Sequence, residues 1–381
     1  MDFSMTDEQL RLRKDVAERA RGELAASLVD DDREGRFDRG SWKTIADMGI
    51  FAAIVPAEYG GSGHNVMTAV LMLEGLGYGC PDNGLTLAVN SQIWTVEEPL
   101  IRFGTEEQKQ RYLPALCAGD LIAADAITET GSGSDSYALE TTATQRGGGY
   151  VLNGVKTMIG MAPECDLALV YARTGPEAGR WGITAFLVEM GREGIERGGV
   201  TSKMGLRTNP MGEIRFDDCW VPESARLGPE GAGAGVSDHS FEWERCFIFA
   251  SHVGSMERQL EETVEYARQR RQFRKPIGQF QSVSNRIADM RLRLEISKLL
   301  LHQAAWLKTT DRDAGLSAAL TKLYIGEAFL ASSLDAVRVH GGRGYLTESG
   351  IERDLRDSVG GVIYGGTSDI QRQIVARLSG L

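Results

Sequence analysis

The chain has 381 residues, with Lys+Arg 42 against Asp+Glu 53 and a net charge of −11, so two or three packed units are expected rather than one core. Hydrophobic residues at 42% and charged residues at 25% exclude a disordered or collagen-like chain, and the acidic balance opposes nucleic-acid binding, which needs clustered cations to displace counterions. Mean hydropathy is −0.22 and no apolar run approaches the ~20 residues of a membrane span, so no membrane segment is expected.

The chain opens MDFSMTDEQL, with acids where a targeting segment carries cations. Its five cysteines (Cys80, Cys117, Cys165, Cys219, Cys246) are scattered, which argues against a disulfide framework or zinc site and for a reducing cytoplasm. Ser4 ahead of Asp7 reads as a helix N-cap before Leu, Val and Ala at helical spacing. A second helix is expected from Gly40. Val55-Pro56-Ala57-Glu58-Tyr59-Gly60-Gly61-Ser62-Gly63 reads as a loop, and helical periodicity follows over 67–78, 93–103 and 106–117.

Near Leu121 the texture changes. Tyr150–Leu152, Leu167–Tyr171, Ile183–Val188 and Glu213–Phe216 are short β-rich runs cut by turn residues, and Gly147-Gly148-Gly149 reads as a hairpin turn. An antiparallel sheet is expected over 121–228. From Gly233 helical periodicity returns over 237–270, 279–308 and 313–339, with a shorter helix at the end, suggesting a bundle of about four. The expected division is an N-terminal helical domain at 1–120, a middle β domain at 121–228 and a C-terminal helical bundle at 229–381.

The 46 glycines cluster, and four segments could carry chemistry. Thr128-Glu129-Thr130-Gly131-Ser132-Gly133-Ser134-Asp135 has the glycines and hydroxyls of a phosphate cradle, or of a plain hairpin turn. Arg270-Arg271-Gln272-Phe273-Arg274-Lys275-Pro276-Ile277-Gly278 is a dense cationic cluster, suited to a phosphate or to solvent. Arg338-Val339-His340-Gly341-Gly342-Arg343-Gly344-Tyr345 looks like a helix C-cap. In Tyr364-Gly365-Gly366-Thr367-Ser368-Asp369-Ile370-Gln371-Arg372, Ser368 or Asp369 could cap a last helix, whose N-terminus is also an anion site.

Taken in this order, those segments resemble the acyl-CoA dehydrogenase superfamily. The resemblance extends over nearly the whole chain, including the Val55–Gly63 loop and Lys203-Met204-Gly205-Leu206-Arg207 ahead of Phe216-Asp217-Asp218-Cys219. It implies a mainly α protein with a helical domain, a central antiparallel β-barrel or sandwich and a C-terminal four-helix bundle, assembled as a homotetramer that shares each FAD site. By this resemblance Asp125, Ile127, Thr128, Gly133 and Ser134 line the flavin ring and its ribityl phosphate, with Met158 and Gly160 on the next strand. Arg270, Phe273, Phe280 and Gln281 match residues that reach a neighbouring subunit's FAD. Arg338, Gly341 and Gly342 match a further dinucleotide contact, and Thr367 and Asp369 a pyrophosphate contact.

The implied reaction is α,β-dehydrogenation of an acyl thioester, in which a carboxylate removes the α-proton and the β-hydrogen leaves as hydride to the flavin. Many members carry that base in Tyr-Glu-Gly-Thr; here the segment reads Tyr364-Gly365-Gly366-Thr367, so the base is absent. Isovaleryl- and long-chain-type members place it on the first long C-terminal helix, before an Arg. Glu244 in Phe241-Glu242-Trp243-Glu244-Arg245 falls there. Glu244 is therefore the expected base. Glu242 is the fallback, roughly 200° round the helix. Phe241, Arg245, Ser134 and Gly365 match substrate-side positions. Gly160 replaces a Thr that contacts the flavin in many members. Both departures, with Trp243-Glu244-Arg245, Met256-Glu257-Arg258-Gln259-Leu260 and Gly366–Asp369, resemble the subgroup that oxidises prolyl groups on a peptidyl carrier protein. The expected partners are an acyl or aminoacyl thioester on coenzyme A or a phosphopantetheinyl carrier, and an electron-transfer flavoprotein or oxygen as acceptor. The competing readings are a short or branched-chain acyl-CoA dehydrogenase and a degenerate flavin-binding partner protein.

Overall fold

The computed structural model describes residues 5–381, apart from the side chains of residues 176 and 177. Helices come first: α1 (Asp7–Glu23), α2 (Leu28–Glu34), α3 (Arg39–Asp47), α4 (Val66–Gly79), α5 (Asn83–Ser91), α6 (Glu98–Phe103) and α7 (Glu106–Cys117). Ser4, the expected first cap, lies outside the described residues. The cap of α1 is Thr6, whose side chain accepts from the Gln9 N–H while the Gln9 side chain returns to the Thr6 N–H. The stretch expected as one helix at 93–103 is a π-helical turn, Gln92–Glu97, running into α6. Such turns cluster at functional sites.

The strands follow: β1 (Ala123–Ala126), β2 (Thr142–Arg146), β3 (Gly149–Gly160), β4 (Leu167–Arg173), β5 (Ile183–Glu189), β6 (Ile195–Arg197), β7 (Met211–Pro222) and β8 (Arg226–Leu227). They form one sheet in the order β6-β7-β3-β2-β4-β5-β8, with β1 on β4. The expected antiparallel pairing holds for most of it, but β1 and β4 run parallel, as do β2 and β4 at Thr142 and Arg173. The β2–β3 hairpin closes through Gly147 (φ +59°) and Gly148 (φ +76°). Two consecutive positive φ angles make the primed turn that matches strand twist, and glycine adopts it without strain.

The last part is helical: α8 (Gly233–Phe247), α9 (Ala250–Gln269), α10 (Gln281–Thr309), α11 (Gly315–His340), α12 (Ile351–Gly360) and α13 (Ser368–Leu378). A short β9 (Arg271–Gln272) pairs with β10 (Lys275–Pro276) between α9 and α10. The periodic segment at 237–270 is two helices broken around Phe249, with no Pro or Gly at the break, and α12 adds a helix to the expected set. Alternate β1 residues join different apolar clusters. Ala124 and Ala126 face a large core that runs into the bundle. Ala123 and Ile127 face a smaller cluster with Tyr171 and, at its edge, Phe241 of α8. All five cysteines are free and buried.

Candidate active site

Glu244 lies one turn from the end of α8. Its side chain remains partly accessible, and among the described residues its carboxylate accepts no hydrogen bond. Burial raises its pKa above the usual carboxylate value, while the cations of Arg245 and Lys322 oppose the rise. Lys322, on α11, is buried with its Nζ 3.1 Å from the Gly361 carbonyl, and burial pushes it down to about 8. Burial likewise raises Tyr364 well above 10 and lowers His252 to about 4, so Tyr364 and His252 are uncharged near neutral pH while Lys322 keeps its charge. A carboxylate in such surroundings can take a proton at neutral pH.

The turn before α13 reaches the same spot. Gly365 (φ +62°) and Gly366 (φ +80°) are held by Gln371, whose Nε2 donates to both carbonyls at 3.1 Å. Thr367 caps α13 by accepting from the Ile370 N–H. The cap is thus neither Ser368 nor Asp369, and Asp369 is exposed beside Arg372. The fallback base Glu242 is ion-paired with Lys308. Phe241 packs on the smaller cluster with the Arg245 guanidinium over its ring, and Arg245 Nε is buried without a partner.

The glycine-rich loop after β1 is anchored from below by a residue the sequence did not single out. Glu129 is buried; its Oε1 accepts from Lys156 Nζ (2.7 Å), the Thr141 N–H (3.0 Å) and Thr141 Oγ1, and its Oε2 from the Glu140 N–H. Lys156 is fully buried, and burial lowers it to about 8 despite that partner. The anchor leaves Gly133 and Ser134 exposed and Thr128 half-buried above Ile127, and the Thr128 carbonyl accepts from the Thr157 N–H on β3. Beyond Thr157, Met158 turns outward at φ +56° within a bulge of β3. Beside Gly160, Asn209 Oδ1 stands 3.4 Å from where a Cβ would lie.

These residues fit a flavin. Among the described residues, Thr157 Oγ1 and Asn209 Oδ1 are buried without hydrogen-bond partners, a state that favours a polar ligand. Open space lies where a Cβ would stand on Gly131, Gly133, Gly341 and Gly342, so backbone amides there can approach a ligand closely.

The cationic segment lies elsewhere. Arg270 follows α9, Phe273 sits at 87% exposure on the β9–β10 turn, Phe280 lies under Lys275 Nζ at 4.2 Å, and Gln281 opens α10. Arg338, Gly341 and Gly342 end α11 at the same end of the bundle, where the His340 ring stacks on Tyr266 of α9 at 4.3 Å. A 340 Å³ groove beside this hairpin, lined by Ala267, Pro276 and Gly278, is likewise distant from Glu244. At 1.5 Å per residue, the 18 residues from Lys322 to His340 place this end about 27 Å along α11 from the level of Glu244.

Three family descriptions match the chain: the N-terminal domain of acyl-CoA dehydrogenase at residues 6–120, the middle domain at 124–219 and the C-terminal domain at 231–379. An L-prolyl-[peptidyl-carrier protein] dehydrogenase of Pseudomonas fluorescens is 43% identical over 378 residues, 99% of either protein. Among solved structures, the prolyl acyl carrier protein oxidase AnaB superposes with a TM-score of 0.98 at 43% identity, covering 99% of this chain and 100% of that one. PigA with FAD and proline superposes at 0.97 with 40% identity, covering 100% of both chains.

Proposed function

The chain belongs to the acyl-CoA dehydrogenase family, and on that premise we propose that it is an FAD-dependent dehydrogenase of a prolyl group held as a thioester on a peptidyl carrier protein. The observation that carries the chemistry is the Glu244 carboxylate: unpaired, partly accessible and raised in pKa beside the Gly365 turn. The full-length identity to a prolyl-carrier dehydrogenase supports the substrate.

The thioester carbonyl acidifies the substrate Cα–H, and Glu244 takes that proton. The β-hydrogen would leave as hydride, for which a bound FAD would supply the acceptor chemistry. The anchored 128–135 loop, Thr157 and Asn209 would hold and orient the flavin, with Met158, Gly160, Thr367 and Asp369 as further contacts. Phe241 and Arg245 flank the entering acyl group. Water is kept from the reacting carbon by the apolar cluster behind Phe241 and Tyr171.

The 27 Å separation along α11 supports a tetramer in which Arg270, Phe273, Phe280, Gln281, Arg338, Gly341 and Gly342 serve a neighbour's cofactor. Within each chain we propose domain divisions near residues 121 and 229. No helix among the described residues is long and apolar enough to cross a membrane, and we place the reaction in the cytoplasm. The acceptor is an electron-transfer flavoprotein or oxygen.

The test is anaerobic reduction of the purified yellow enzyme. Flavin bleaching by prolyl-loaded carrier protein, and not by a panel of short and branched acyl-CoAs, is the expected result. Bleaching by the acyl-CoAs alone would assign the chain to ordinary acyl-CoA oxidation. Bleaching by neither would favour a non-catalytic flavin-binding role.

A further inference from the structure

Asp125 is the one charged residue of β1. It shares a strand face with Ala123 and Ile127, both packed in the smaller apolar cluster with Tyr171. A position with such neighbours is ordinarily apolar. Asp125 Oδ1 is buried without a partner, and among the described residues neither of its oxygens accepts a hydrogen bond. Yet the side chain keeps partial accessibility, so it borders open space within the core. Buried carboxylates are ordinarily paired, and an unpaired one favours a missing cation.

The cations around it are committed elsewhere. Lys156 Nζ donates to Glu129 Oε1 at 2.7 Å and to the Ile127 carbonyl at 3.2 Å. The other charge that bears on Asp125 is the Glu244 carboxylate; burial first, and then that negative neighbour, hold Asp125 well above the usual carboxylate range. Phe241, one turn before Glu244 on α8, packs at the edge of the same cluster as Ala123 and Ile127, so the partly accessible carboxyls of Asp125 and Glu244 border one space.

In a prolyl thioester the ring nitrogen is bonded directly to Cα, a separation of about 1.5 Å. Placing Cα–H at Glu244 therefore places the ring ammonium in the same space. We propose that Asp125 is the specificity residue that receives the N–H2+ of the carrier-bound prolyl ring, while Glu244 addresses the α-hydrogen of that ring. This assignment rests on the prolyl-thioester reading above and adds to the flavin-lining role expected for Asp125. It also supplies a reason to reject ordinary acyl groups. A methylene in place of the ammonium leaves the Asp125 carboxyl buried and unpaired, a loss that can reach several orders of magnitude in kcat/KM.

The test compares two rings of one shape on the same carrier protein: L-prolyl and cyclopentanecarbonyl, which carries a carbon in place of the nitrogen. Wild type and Asp125→Asn holoenzymes are followed by anaerobic flavin bleaching, with the bound-flavin absorbance reporting the fold. In the variant, kcat/KM for the prolyl ring should fall by roughly 10²- to 10³-fold more than that for the carbocycle, whose own loss reads any disturbance of the flavin beside Asp125. Asp125→Leu, which suits the apolar surroundings, should show the same ring-dependent loss and covers the case of a misfolded Asn variant. Equal losses on both rings, or no loss on the prolyl ring, overturn the assignment while leaving the prolyl reading intact. If the wild type oxidises acyl-CoAs and not the prolyl carrier, the prolyl reading fails and the Asp125 assignment with it.

Discussion

A Cβ built on Gly365 would stand 3.2 Å from Glu244 Oε1 and 3.4 Å from its carboxyl carbon. Two segments 121 positions apart thus converge on one point, and that point holds a carboxylate. The resemblance places the base on the turn before the last helix in many members and on the first bundle helix in others. The convergence gives a geometric reason that either origin can serve, since a side chain from the turn and one from α8 compete for the same volume. A single carboxylate fits there.

Glu244→Gln should therefore remain yellow and folded yet lose roughly 10²- to 10⁴-fold in the rate of flavin bleaching by substrate, the range general-base removal costs. Bleaching at the wild-type rate would falsify the assignment. The pH profile carries a second check. The base works ionised, so kcat/KM should fall as pH drops through the Glu244 pKa, which lies above 4.5. Lys322 lowers that pKa, so Lys322→Met should move the acidic limb to higher pH. The pair Glu242 and Lys308 serves as the control, and Glu242→Gln should leave the limb in place.

Gly365→Ala tests the shared volume. At φ +62° a Cβ costs about 1–2 kcal/mol in backbone strain, and the added methyl presses the Glu244 carboxylate from its position. Both a lower Tm and a kcat reduced more than KM is raised are expected. An alanine variant with unchanged kcat would show that the carboxylate is not held there. Restoring the commoner arrangement with Gly365→Glu and Glu244→Gly together should recover only part of the rate, because the backbone strain remains.

Much of this site was legible in linear order. Glu244 before Arg245, the hydroxyl- and glycine-rich loop at 128–135 and the Gly365–Asp369 turn are local patterns, and local patterns survive in a sequence. The hairpin through Gly147 and Gly148 was legible for the same reason, since turn chemistry is set by two residues. What escaped is either non-local or carries no residue-type signal. The parallel pairing of β1 with β4 joins strands far apart in the chain, and period-2 alternation carries no strand direction. The π-turn at Gln92–Glu97 has the same apolar residues an α-helix would show. The break near Phe249 has no Pro or Gly to announce it. Nothing in the linear order marks Glu129 and Lys156 as partners; only tertiary contact makes them a buried pair.

That pair yields a third prediction. Lys156 is fully buried and Glu129 nearly so, and removing one partner of such a pair leaves an uncompensated charge at a cost of about 3–5 kcal/mol. Lys156→Met should lower Tm and release FAD, because the Glu129 carboxylate also holds the 140–141 backbone that shapes the loop. The double variant Lys156→Met with Glu129→Gln should recover part of the stability without recovering flavin affinity. Calorimetry and flavin titration separate the two effects. Full flavin retention in the single variant would show that the loop keeps its shape without the anchor.

Glu97 closes the π-turn with no cation beside it among the described residues. It is fully buried, its Oε1 accepts from Gln92 Nε2 at 2.9 Å, its Oε2 has no partner, and burial raises its pKa to about 8. A carboxyl whose folded pKa exceeds its unfolded value of 4.5 favours the folded state while protonated. Its contribution is therefore complete below about pH 4.5, declines as pH rises, and is lost above about 8. Glu97→Gln mimics the neutral carboxyl and does not titrate. The variant should match wild type in Tm near pH 5 and exceed it progressively between pH 6 and 9, the gap levelling off above the folded pKa. Thermal melts of both proteins across that range decide the matter: a gap that stays constant with pH would mean that Glu97 is already ionised in the folded protein and that its π-turn stores no pH sensitivity.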